Sequence, residues 1–474
     1  MSRPPVIRLI AVGAALAFLA GCSGGGSEGA SDSAPDNATG EDGQSTFAID
    51  IDTASYDYAA RKLEAGNLPS GDQIRPEEFV NAFRQDYPEP AGDGISATVD
   101  GTRPPSWYEA SADTRIMRIG LSTKPEPEGE RPPAALTFVI DVSGSMNEPG
   151  KLDLVQDALH HLIDALEETD AVAIVAYSDA AVVLREMTPV SDREALHGAV
   201  DELSTESATD LEEGLVSGYE VASRGFLAGA TNRVILLSDG LANSGSTSAD
   251  GILGSVAEKA AEGIALLCVG VGAEYGDALM EQLADNGDGF AVYVSKEEQA
   301  RELFVSRLPS TLTVRARDVK VQVSFDTQNV VSYRLIGFEN RAIADEDFRD
   351  DSVDGGEMGP GHTVTALYEV VLKEGASGSV ATANVRWLSP ADRGSEEVAR
   401  TVSVADLDRE WGAAPPKLRV SLLAGAFALV LRGDGAVAWL PALEEEAAAM
   451  FAATEDADVQ RLERLIAAAR KLME

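Results

Sequence analysis

Ala134-Ala135-Leu136-Thr137-Phe138-Val139-Ile140-Asp141-Val142-Ser143-Gly144-Ser145 reads as an apolar strand running straight into a polar turn. Both alternating faces of the run are apolar apart from Thr137, so it belongs in a sheet covered on both sides. After the turn the period changes: Val155, Leu159, Leu162, Ile163 and Leu166 recur at helical spacing. Further apolar runs follow at Ala171–Tyr177, Val234–Leu237, Ile264–Val271 and Phe290–Val294, with amphipathic segments between them. Apolar strands separated by helices predict a mostly parallel, doubly wound (Rossmann-like) α/β domain over residues 134–312. The shorter run Ala181–Leu184 is expected as an antiparallel edge strand.

At the start of the chain, Arg3 and Arg8 flank or precede the short apolar run Leu9–Ala20. Residues 1–21 read as a secretory signal, too short for a spanning helix. The signal closes on Leu19-Ala20-Gly21-Cys22, which resembles the lipobox of bacterial lipoproteins. That resemblance implies cleavage before Cys22, a diacylglycerol on its thiol, and display on the extracytoplasmic side of the cell membrane. Ser23–Ser45 is rich in Gly, Ser, Asp and Asn without apolar periodicity, so residues 22–45 are expected as a flexible tether. With Cys22 lipidated, Cys268 in the run Ala265–Val269 has no disulfide partner and is expected as a small buried hydrophobe.

Two flanking regions complete the layout. Residues 46–120 read as a small N-terminal domain, with one helix through Tyr58–Leu63 and another after Pro76 carrying Phe79, Val80 and Phe83 on one face. Lys124–Pro133 reads as a linker. Residues 315–474 are expected as a separate C-terminal α+β domain. Its strands are Val319–Phe325, Val330–Leu335, His362–Leu372 and Ala381–Arg386, and its helices Lys417–Leu431, Leu443–Ala453 and Val459–Leu472. Leu418–Leu431 is too short to span a bilayer and reads as a buried helix. The 79 acidic residues against 38 basic ones give a net charge of −41. Nucleic acid, which needs a basic footprint, is excluded as a partner, and the only membrane contact expected is through the lipid.

The chemistry concentrates where strands end. Open α/β sheets bind ligands at the carboxyl ends of their strands. Asp141-Val142-Ser143-Gly144-Ser145 lies there, Asp239-Gly240 ends a second strand, and Thr209-Asp210 precedes a helix. The five residues Asp141, Ser143, Ser145, Thr209 and Asp239, on three loops, resemble in order and context the metal-ion-dependent adhesion site of von Willebrand factor A domains. The resemblance implies Mg²⁺, or Mn²⁺ or Ca²⁺, held by neutral hydroxyls and few carboxylates, with at least one aspartate acting through water. Such an under-neutralised hard cation has a place for an Asp or Glu carboxylate from a partner protein. Asp50–Tyr56, Asp277–Asp285, Tyr333–Arg341 and Gly361–Glu369 resemble the YfbK-like bacterial lipoproteins, which implies a small N-terminal domain, a central A domain and a C-terminal domain. Ser207-Ala208 departs from the small glycine-rich residues usual at that place.

The leading expectation is a metal-dependent protein-binding lipoprotein. A structural role in an envelope assembly, with the metal only stabilising, is the alternative. A metal-assisted hydrolase would need a positioned base, and the acids here are already used as ligands. No G-x-S-x-G elbow occurs, and the four histidines form no evident triad, so no catalytic residues are assigned. Gly270–Gly276 reads as a tight turn and Asp345–Asp351 as a solvated acidic loop, with a Ca²⁺ site there as the lesser alternative. His160 and His161, adjacent on a helix, cannot both face one ligand.

Overall fold

Strand β4 (Ala134–Asp141) realises the central prediction: it is buried at every position. The computed structural model describes residues 43–473 except 126–130, 207–208, 240–247, 261–262, 273–279, 281–282, 284–290, 295–299, 302, 305–313, 352, 354 and 391–393. Among them β4 is central in a six-stranded sheet of order β6 (Ala181–Pro189), β5 (Ala171–Tyr177), β4, β7 (Thr231–Ser238), β8 (Ile264–Val271) and β9 (Ala291–Val294). Neighbours run parallel except β6, which is antiparallel to β5. Helices α3 (Leu152–Ala165) and α4 (Arg193–Asp201) pack one face, and α5 (Leu211–Arg224) and α6 (Ala249–Ala260) the other. This is the doubly wound domain expected. Cys268 is fully buried on β8.

Helix α5 approaches the sheet closely because two of its residues lack a Cβ. At Gly218 a Cβ would stand 2.2 Å from Val139 Cγ2, and at Gly214 2.6 Å from the Tyr177 ring. The strand starts lie toward the rest of the molecule: Arg233, buried near the beginning of β7, feels the charges of Glu357 and Arg317.

The flanking regions fold together. β1 (Gln44–Ala48), β10 (Arg317–Phe325), β13 (Ser379–Leu388) and β14 (Ser395–Ser403) form one antiparallel sheet, in that order. β11 (Val330–Ile336), β12 (Thr363–Leu372), β3 (Thr114–Thr123) and β2 (Ile95–Thr102) form a second. Their facing sides enclose a core containing Phe47, Met117, Ile119, Val321, Tyr368 and Val385. The other side of the second sheet, through Ile116, Ile336 and Leu367, packs on α1 (Ala54–Glu64), α2 (Pro76–Asn81), α7 (Pro416–Arg432), α8 (Leu440–Thr454) and α9 (Ala457–Met473). Buried on both sides, β3 has no exposed residue at all.

The expected linear division into domains 46–120 and 315–474 is thus corrected. The two segments share both sheets, and residues 134–312 are inserted between them. The expected tether is also shortened, since Gln44 and Ser45 are already strand, paired with Ser324 and Val323. The signal, Cys22 and most of the tether lie outside the described residues, as do Ser207 and Ala208. Among the described residues no helix is long and apolar enough to cross a membrane, and α7 is the buried helix expected.

One buried carboxyl gives this body a pH signature. Glu77, 1 % exposed on α2, has its carboxyl pushed up to about 7 by burial, then by the charges of Asp50 and Glu339. A folded pKa raised above the unfolded value means the folded state holds the proton more tightly. Stability therefore falls as pH rises from about 4.5 to about 7 and levels off above that. Glu77→Gln should then raise unfolding stability at pH 8 by roughly 3 kcal/mol, and change little at pH 4. Denaturant melts at the two pH values check this.

Candidate metal centre

Asp141 closes β4, and its carboxylate turns into the sheet end where β4 and β7 part. It is fully buried. Oδ1 accepts the Ser143 amide at 2.8 Å, and Oδ2 accepts the Ser238 hydroxyl at 2.7 Å. Among the described residues no basic side chain pairs with it, so its charge is met by hydrogen bonds alone. Burial raises its pKa above the ordinary carboxylate range, the Ser143 and Ser238 hydrogen bonds oppose the rise, and the charge of Asp239 adds to it.

From Asp141 the hydroxyls form a chain. Ser143 Oγ and Ser145 Oγ lie 3.1 Å apart, and Ser145 Oγ donates to Asp239 Oδ1 at 2.8 Å. Ser143 caps a single 3₁₀ turn, Gly144–Asn147, which swings Ser145 toward the end of β7. The third loop is held by its backbone: Glu206 N donates to Val142 O and Asp210 N to Ser178 O, each at 2.6 Å. Asp210 then caps α5 by accepting the Glu213 amide. Thr209, 5 % exposed, is carried to the same strand ends by these bonds. Hydrogen bonds thus link Asp141, Ser143, Ser145 and Asp239, and Thr209 joins them by position.

Sequence reasoning missed two members. Ser238, last residue of β7, holds Asp141. Lys151 donates from Nζ to Asp239 Oδ2 at 2.8 Å and pairs with Glu148 at 2.9 Å. Its stem passes Gly272, where an added Cβ would stand 3.2 Å from Lys151 Cε and where φ is +105°. The available signal was a lone lysine six residues beyond Ser145, at the start of α3.

Two carboxylates, two serine hydroxyls and a threonine suit a hard cation that takes oxygen ligands. Among the described residues no three His, Cys, Asp or Glu side chains converge as a metal-ligating group, so hydroxyls must complete any such site. A buried carboxylate that only an amide and a hydroxyl meet, with no basic side chain paired to it among the described residues, fits that donor set.

A sheet of this topology with three loops converging at its strand ends defines the class, and a von Willebrand factor type A profile matches residues 135–305. A von Willebrand factor profile matches residues 30–112, and the profile of the C-terminal region of uncharacterized protein YfbK matches residues 310–380. The chain is a bacterial von Willebrand factor A protein of the YfbK-like family. It is 33 % identical over 335 residues to uncharacterized protein YfbK of Escherichia coli, covering 69 % of this chain and 58 % of that one. An uncharacterized protein of Synechocystis sp. is 29 % identical over 196 residues, 41 % of this chain and 46 % of the relative. The chain therefore spans about half the length of these relatives. A solved structure, von Willebrand factor type A from Catenulispora acidiphila, shares the fold with a TM-score of 0.51 at 14 % identity, over 80 % of this chain and 91 % of that chain. The domain class supports an adhesion or protein-interaction role, and neither of these two relatives is named for an enzymatic activity.

Proposed function

We propose that the chain binds a divalent cation of the Mg²⁺ class through Asp141, Ser143, Ser145, Thr209 and Asp239, and through that cation an Asp or Glu carboxylate of a partner protein. The observation that carries this reading is the buried Asp141 carboxylate, which pairs with no basic side chain among the described residues, linked through Ser143 and Ser145 to Asp239. When bound, the cation would supply a Lewis-acid position for the partner's carboxylate. The chain's own residues do the rest. Ser143 N and Ser238 Oγ fix the Asp141 carboxylate, and Asp210, by capping α5 and donating its amide to Ser178 O, holds the position of Thr209 at the strand ends. We further propose display outside the cytoplasmic membrane through diacylglycerol on Cys22.

The test is co-purification of the protein from detergent-solubilised membranes, with and without EDTA. A protein partner recovered only when Mg²⁺ or Mn²⁺ is present supports the reading. Identical recovery in EDTA removes the metal bridge.

Lys151 adds a graded check. Its ammonium neutralises part of Asp239 and so opposes an incoming cation. Lys151→Met should raise Mg²⁺ affinity several-fold in calorimetry. The same change should lower metal-free stability by about 1 kcal/mol, because Asp239 loses its ion pair.

A further inference from the structure

The rim of the strand-end site is one-sided in charge. In sequence, segments 142–151, 178–180 and 202–210 hold a single basic residue, Lys151. Its ammonium is already spent on Asp239 at 2.8 Å and Glu148 at 2.9 Å. Across the site, Ser178 Oγ lies 2.6 Å from Glu206 Oε2 and 3.1 Å from Asp179 Oδ1. That corner is tied to the site's own loops, since Glu206 N donates to Val142 O and Asp210 N to Ser178 O. Glu148, Asp179 and Glu206 are all exposed. By chain geometry their carboxylates stand on the order of 10 Å from Ser143, about one Debye length at 0.1 M salt.

Two observations set this rim apart from a plain solvated surface. Among the described residues no three His, Cys, Asp or Glu side chains converge as a metal-ligating group, so the rim acids do not form a cation site of their own. The Tyr177 phenol, 1 % exposed at the end of β5, stands by Asp141 and Ser238 without a hydrogen bond of good geometry. A buried hydroxyl left over at the strand ends points to a group from outside the chain.

The charge around the site describes what must carry that group. Asp141, Asp239, Glu148, Asp179, Glu206 and Asp210 face one ammonium, so a bound divalent cation leaves the face at −3. A partner's carboxylate brings a further negative charge. The cation attracts it at contact, but at longer range the uncompensated acids repel it. Resting on the metal bridge proposed above, we infer that the partner is a basic protein surface, whose bridging Asp or Glu stands among lysines or arginines. Those bases meet Glu206 and Asp179 on one side of the site and Glu148 on the other. Complementary charge of this kind sets partner choice and association rate more than final affinity. An acidic surface carrying the same carboxylate, a second copy of this chain at −41 included, is a poor ligand.

The experiment uses the full chain and four immobilised twelve-residue peptides on a Gly-Ser frame. Each has a central Asp or Asn between paired Lys or paired Glu flanks, and dense display compensates for weak single contacts. With Mg²⁺ present, the Lys-flanked Asp peptide should bind at least ~10-fold more tightly than its Asn counterpart, and EDTA should erase that difference. The Glu-flanked pair should show no such difference. Asp179→Lys with Glu206→Lys should reverse the preference, so that the Glu-flanked Asp peptide gains the metal-dependent binding. Asp179→Asn with Glu206→Gln is the milder change and should narrow the preference. Calorimetry on that milder pair should find Mg²⁺ bound within several-fold of the wild-type affinity, and melts of each variant guard against misfolding. A metal-dependent preference for Asp that is equally strong between Glu flanks overturns the inference and leaves the bridge standing. So does a flank preference unchanged by both double substitutions. If Asp and Asn bind alike between every flank while Mg²⁺ is bound, the bridge itself falls, and this inference with it.

Discussion

Asp141→Ala should leave the far-ultraviolet spectrum native and lower Mg²⁺ or Mn²⁺ affinity by at least ~100-fold, since it removes an anionic ligand from a hard-cation site. The fold survives because its stability comes from apolar cores on both faces of the six-stranded sheet. Two opposing effects set the metal-free stability. The Ser143 amide and the Ser238 hydroxyl lose their acceptor, while an ionised carboxylate no longer has to be buried. The net change should stay within about 2 kcal/mol. Asp141→Asn keeps the shape and offers an oxygen to the Ser143 amide, so it should lose the metal with a smaller change in stability. Ser143→Ala or Thr209→Ala removes one neutral oxygen and should weaken binding by only about tenfold. Calorimetric titration beside circular dichroism decides it. Affinity unchanged in Asp141→Ala would refute the site, and lost metal with retained partner capture would refute only the carboxylate bridge.

The second large effect concerns the shared sheets. A fragment of residues 315–474 lacks β1, β2 and β3, which leaves β11 and β12 as an isolated pair and opens both cores that β3 separates. Two strands alone are marginal in water. The fragment should show little near-ultraviolet signal, poor amide dispersion and no cooperative melt. Residues 43–125 supplied in trans should restore all three. Residues 131–313, whose cores are nearly self-contained, should melt cooperatively alone. A cooperative melt from 315–474 by itself would mean that the shared sheets are not what holds this body together.

How much of this was legible beforehand depends on where each strand's neighbours come from. β4, β5, β7 and β8 are covered on both faces, so their apolar runs announce them. β6 is half-exposed and was caught only in its first residues. β2 and β3 went unread, because Thr98, Asp100, Arg115 and Arg118 interrupt the apolar pattern. Arg118 is tolerated in the interior because Asp100 and Gln85 take its guanidinium. β14, with Glu396, Glu397 and Arg400, is a charged edge strand and looks like a loop in sequence. Pairing is harder still to read: β3 meets β12 some 250 residues away, and no local period records such a partner. The strand-end site was readable since three separate loops share one arrangement. Lys151 and Ser238 were not, as a lysine or serine acquires meaning only from what it touches. The same holds for His160, whose hydrogen-bond partner His197 lies on another helix.

The register of β1 carries a mechanical consequence. Gln44 pairs with Ser324 and Ala48 with Lys320, so the first residue of β1 sits beside the end of β10, while the inserted domain leads into the beginning of β10. Tension applied between the residues before Gln44 and that domain pulls the two antiparallel strands lengthwise past one another. All their ladder hydrogen bonds then bear load together instead of opening one at a time. A pull from the opposite end of β1 would instead unzip them. The molecule should therefore resist force best in the direction that a ligand held at the strand ends would exert against whatever precedes β1, with rupture governed by the barrier to sliding and not by equilibrium stability.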